Sequence, residues 1–114
     1  MRAMIRQAYL SILARNASWS GDWACEPCEC GWATEAIFFV RVLQADPTAR
    51  AAQGTVQISP DGLNWLDEGQ TLMIGTEPGL YSVRVRHFGG WLRLAGRTEG
   101  EGEIRVVCYL HLKE

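Results

Sequence analysis

Thr55-Val-Gln-Ile-Ser59, Pro60-Asp61-Gly62 and Leu63-Asn64-Trp65 read as strand, turn and returning chain in eleven consecutive residues. Pro60 presets φ at the first corner, Asp61 can fold its carboxylate back onto the backbone, and Gly62 can take the positive φ needed to re-enter a ladder. A β-hairpin is expected here. Trp65 is placed to return over the turn and pin it to a core.

Working outward, Tyr81, Val83 and Val85 alternate with Ser82, Arg84 and Arg86, which gives a strand with one core face and one wet or interface face. Gly89-Gly90 can close a two-residue hairpin into Trp91-Leu-Arg-Leu94. Upstream, Ala36 to Leu43 is dense in β-branched and aromatic residues. Ala36, Phe38, Val40 and Val42 share one face, and Ile37, Phe39 and Leu43 crowd the other around Arg41, so a central strand covered on both sides is expected. Asp67-Glu68-Gly69 reads as a turn before a short strand at Thr71 to Ile74, and Ala45 to Arg50 and Gly96 to Gly102 read as loops. The last strand, Glu103 to Lys113, should face Ile104, Val106, Cys108, Leu110 and Leu112 inward. Residues 4 to 13 carry a helical stripe and an alternating strand face at once, with no N-cap ahead of them. Both readings stay open, with a lean toward strand.

Seven or eight short strands in 114 residues, spaced by Gly, Pro and Asp turns, predict one all-β domain over residues 1–114, an antiparallel β-sandwich or jelly roll. No run of about 18 apolar residues is present to span a bilayer. The net charge of −2 gives no general attraction for nucleic acid. No signal-like segment is read at the N-terminus, so a cytoplasmic location or an assembled particle is expected.

Val56-Gln-Ile-Ser-Pro-Asp-Gly-Leu-Asn-Trp65 resembles the Ser-x-Asp-Gly-x-x-Trp hairpin of discoidin-like domains, the factor 5/8 type C, galactose-binding-like jelly rolls. Val83-Arg-Val-Arg-His-Phe88 and Trp91-Leu-Arg-Leu94 could correspond to the strand that follows in that family. The resemblance covers about a third of the chain and implies a sandwich. It carries over no binding residues, and similar hairpins occur in phage and virion β-proteins.

Three groups of side chains could carry chemistry. Cys25, Cys28 and Cys30 have metal-like spacing and could hold zinc with a fourth ligand from Cys108, His87 or His111. Free thiols and a disulfide are the competing readings, and no other cofactor is implied. Trp19, Trp23 and Trp32 flank that loop and could stack on a sugar ring if exposed. Arg84, Arg86 and Arg93 could meet the acidic loop around Glu26 and Glu29 of another copy. No G-x-S-x-G, P-loop, H-E-x-x-H or dinucleotide fingerprint is present, so no enzyme is expected. The leading expectation is a non-catalytic subunit that forms a homo-oligomer or coats a phage particle, filament or shell. A carbohydrate-binding module and a small zinc-binding interaction domain are the alternatives.

Overall fold

The structure, a computed structural model, describes residues 7 to 114. A pleated chain sends successive side chains to opposite faces, and the apolar alternation therefore becomes strand throughout. The strands are β1 (Ala8–Trp19), β2 (Gly21–Ala24), β3 (Cys28–Glu29), β4 (Glu35–Ala45), β5 (Ala49–Ser59), β6 (Leu66–Ile74), β7 (Gly79–Val85), β8 (Trp91–Gly100) and β9 (Ile104–Lys113). Among the described residues there is no helix. The helical reading of the N-terminal segment is therefore corrected for Ala8 to Leu13, which lie in β1, while Met4 to Arg6 fall outside the described residues.

Two antiparallel sheets form a sandwich. The front sheet has the order β1-β9-β4-β7 and the back sheet the order β2-β8-β5-β6, with β3 also pairing β8. Its centre is filled by the side chains that alternation turned inward. Phe38 and Val40 of β4 and Cys108 and Leu110 of β9 are fully enclosed, and meet Val56, Leu92 and Leu94 from the back sheet. Each fully buried aliphatic or aromatic side chain of this kind stabilises the fold by about 1.5–3 kcal/mol.

Several connections differ from the expected hairpins, for one physical reason: the chain changes sheets there. β7 belongs to the front sheet and β8 to the back, so Gly89-Gly90 lies in a crossing rather than a two-residue hairpin. Ser20 likewise joins β1 of the front sheet to β2 of the back. Asp67-Glu68-Gly69 does not turn the chain. It lies inside the nine-residue β6, where Gly69 at φ 120° and a register shift opposite Thr55 to Gln57 absorb the irregularity as a bulge. The hairpin at Ser59 is real, but its return strand starts at Leu66 rather than Leu63.

Glycine is required where strands crowd. A Cβ at Gly96 would run into the Gln53 carbonyl and the Trp23 ring, so β8 can hold β5 and β2 closely only with no side chain at that position.

Candidate functional site

The outer face of the front sheet is where sequence alternation leaves apolar side chains with nothing described on top of them. Directly opposed residues of antiparallel strands share a face. One cross-strand row runs Leu10, His111, Ile37, Arg84 from β1 to β7, and the next runs Ile12, Tyr109, Phe39, Ser82. Val107, Arg41 and Leu80 make a third. Leu10 is 54% exposed, Ile12 40% and Leu80 61%, so the apolar rows reach solvent at both edges. This corrects the expectation for β4: the Phe38 face is covered by the back sheet, but among the described residues nothing packs on the Ile37, Phe39 and Leu43 face.

A depression of about 240 Å³ opens at the Glu35 end of this face, lined by Glu35, Ile37, Arg84, Arg86, His111 and Lys113. Three fixed cations there face one carboxylate. Among the described residues, no carboxylate comes within ion-pair distance of Arg41, Arg84, Arg86 or Lys113. The face is thus apolar in the middle and cationic at the rim.

Arg93 does not join that group. It lies on β8 of the back sheet, where its guanidinium sits 4.3 Å from the Trp65 ring centroid and its Nε donates to Gln57 Oε1 at 2.7 Å. The three arginines read together from sequence are therefore split, because β7 and β8 belong to different sheets. Glu29 pairs opposite Trp91 on β8 of the back sheet, and Glu26 lies in the connection before it, its N–H bonded to the Leu13 carbonyl of the front sheet; both are exposed and neither pairs with Arg84 or Arg86.

The tryptophans are used internally. Trp19 is buried and stacks on Trp23 at 3.7 Å between ring centroids, 6° from parallel. Trp23 Nε1 donates to Thr98 Oγ1 at 3.0 Å, and Thr98 Oγ1 donates to the Trp19 carbonyl at 3.1 Å. Trp32 is exposed, so the expected three-ring platform reduces to one ring. Trp65 does not cover the hairpin turn; the Trp91 ring lies against Gly62 instead, 3.1 Å from where a Cβ would stand.

The cysteines are not gathered around one point. Among the described residues no three His, Cys, Asp or Glu side chains converge as a metal ion requires. Cys25 is buried and accepts from the Leu94 N–H at 3.2 Å, and the neighbouring Cys108 thiol holds its pKa below the usual thiol value. Cys30 turns its thiol toward the Gly89 carbonyl, and burial pushes its pKa up to about 12. Cys28 is half-buried, directs its thiol to the Glu29 carbonyl, and is shifted upward by desolvation. Consecutive strand and edge positions aim these thiols apart, so the C-x-x-C-x-C spacing does not become a knuckle.

No family model matches this chain, and no curated protein matches it. Solved structures do. The PBSX exported protein XepA superposes with a TM-score of 0.66 at 14% identity over 91% of this chain, which spans 36% of that protein. The subunit of Bacillus endospore appendages, described as a family of disulfide-linked pili, gives 0.54 at 11% identity over 95% of this chain and 85% of that one. A carbohydrate-binding module, CBM4, gives 0.48 at 12% identity over 90% of this chain and 66% of that one. At these identities the likeness is one of fold. The resemblance to discoidin-like domains around Ser59 to Trp65 accordingly extends to a two-sheet sandwich and no further.

Proposed function

We propose that this chain is a non-catalytic structural subunit that self-associates through the outer face of its front sheet, in the cytoplasm or within an assembled particle. The observation that carries the reading is the apolar and aromatic array of Leu10, Ile12, Ile37, Phe39, Val107 and Tyr109, rimmed by cations without carboxylate partners among the described residues. An exposed contiguous patch of this kind marks a contact surface. The occupant we infer is a second copy. Glu26 and Glu29 are exposed and make no ion pair with Arg84 or Arg86, so these charges are free to complement one another between copies, in a head-to-tail contact. Two proteins of this fold with TM-scores above one half support the class: one is exported and the other forms pili. With β3 set aside, the strand order supports the finer reading of the sandwich as an eight-stranded jelly roll.

The test is sedimentation velocity across protein concentration at low and high salt, on the wild type and an Arg84→Glu/Arg86→Glu variant. The wild type should form larger species that shrink with salt. The variant should keep its circular dichroism and thermal midpoint while losing at least tenfold in association. Unchanged association would reject the charge role.

A further inference from the structure

Cys25 and Cys108 occupy positions no contact of the docking face uses. The segment after β2 bridges the open side of the sandwich: the Cys25 N–H donates to the Leu94 carbonyl of the back sheet at 2.9 Å, and the next N–H, of Glu26, donates to the Leu13 carbonyl of the front sheet at 3.1 Å. Leu13 adjoins Ala14, and Ala14 pairs directly with Cys108 on β9. Cys25 therefore hangs between the sheets at the level of Cys108, whose side chain points inward. Cys25 is 5% exposed and Cys108 fully enclosed, and both belong to the same buried core cluster. We propose that Cys25 and Cys108 are the two halves of a cross-sheet disulfide, joining the β2–β3 connection of the back sheet to the centre of the front sheet.

The chemistry balances with a peroxide as the oxidant. The Cys25 sulfur attacks one peroxide oxygen, the O–O bond breaks, and a sulfenic acid and one water form. The Cys108 thiol then attacks the Cys25 sulfur, the S–O bond breaks, and the disulfide and a second water form, with two thiols oxidised and one peroxide reduced. Cys25 is the thiol suited to the first step. It lies 5% exposed at the open side of the sandwich, whereas Cys108 is fully enclosed, so an oxidant meets Cys25 first. Cys28 and Cys30 are aimed at the Glu29 and Gly89 carbonyls and do not compete for Cys108.

The experiment uses the full chain as wild type and as Cys28→Ser/Cys30→Ser, reduced, freed of reductant, exposed to a small excess of hydrogen peroxide, then denatured and alkylated. The double variant should lose about 2 Da as a monomer, take up no alkyl group, and yield a cross-linked Cys25–Cys108 peptide pair cleaved by reductant. Its thermal midpoint should rise by about 10 °C on oxidation, because the bridge closes a long loop in the unfolded chain. Two alkylated thiols after oxidation, or a disulfide-linked dimer, would overturn the proposal. Should the double variant not fold, fragment sequencing of the oxidised wild type decides: a Cys25–Cys108 linkage upholds it, and a linkage through Cys28 or Cys30, or none, overturns it.

Discussion

Asp61 accepts four hydrogen bonds at one corner of the chain. The Leu63 and Asn64 N–H groups donate to its Oδ1 at 2.9 Å each, Asn64 Nδ2 donates to Oδ2 at 2.9 Å, and Ser59 Oγ donates at 3.0 Å. These donors hold the carboxyl well below the usual carboxylate range, the Asn64 N–H foremost. A depressed folded-state pKa contributes stability that is complete above the unfolded value of about 4 and is lost as pH falls toward the folded one. Asp61→Asn should therefore lower the thermal midpoint at pH 7, and the gap from wild type should narrow steadily below pH 4 in a calorimetric series. A gap independent of pH would assign the effect to shape rather than charge. This residue was legible in the sequence because an Asp two places after a Ser and before a Gly acts on its own neighbours. Trp65 was not, since its partner Arg93 comes from a different strand and no local rule supplies it.

At the scale of elements, alternation told faithfully which face of a strand turns inward. Ile104, Val106, Cys108, Leu110 and Leu112 of β9 are all enclosed, as are Ala36, Phe38, Val40 and Val42 of β4. What alternation cannot tell is which sheet a strand joins, because a Gly-Gly or Gly-Asp dipeptide serves equally for a hairpin and for a crossing between layers. The β1 to β2 crossing is held by Thr98, whose hydroxyl receives the Trp23 indole N–H and donates to the Trp19 carbonyl inside the core. Thr98→Val keeps the shape and leaves both partners unsatisfied, which should cost about 2 kcal/mol in urea denaturation. Thr98→Ser, which retains the hydroxyl, should restore most of the loss. Equal destabilisation by both would show that packing of the methyl group, not the hydrogen bonds, fixes the crossing.

For the whole molecule, the number of stacked layers decides what the second face of a strand becomes. Ile37 and Phe39 were expected to be covered, and a third layer would have covered them; with two sheets, nothing among the described residues packs on that face. The same reasoning explains why the cation rim was only half legible: Arg84 and Arg86 share a strand face by sequence spacing, whereas Lys113 and His111 arrive through pairing of β9 with β4. Phe39→Ser/Tyr109→Ser removes the two rings at the middle of the face without touching the core. The protein should still unfold in one cooperative transition and should lose association at both low and high salt. Retained assembly at high salt would place the apolar contact elsewhere on the molecule.

β9, the last of the nine strands among the described residues, lies between β1 and β4. Emerging from a ribosome, β1 must therefore wait with its pairing edge open until the eight strands after it have been made, and β4 can engage only β7 in the meantime. The back sheet is under no such delay, since β5 and β6 are neighbours in sequence. Synthesis speed and the helpers that shield exposed strands should consequently matter most for the front sheet, the one whose outer face carries the proposed contact.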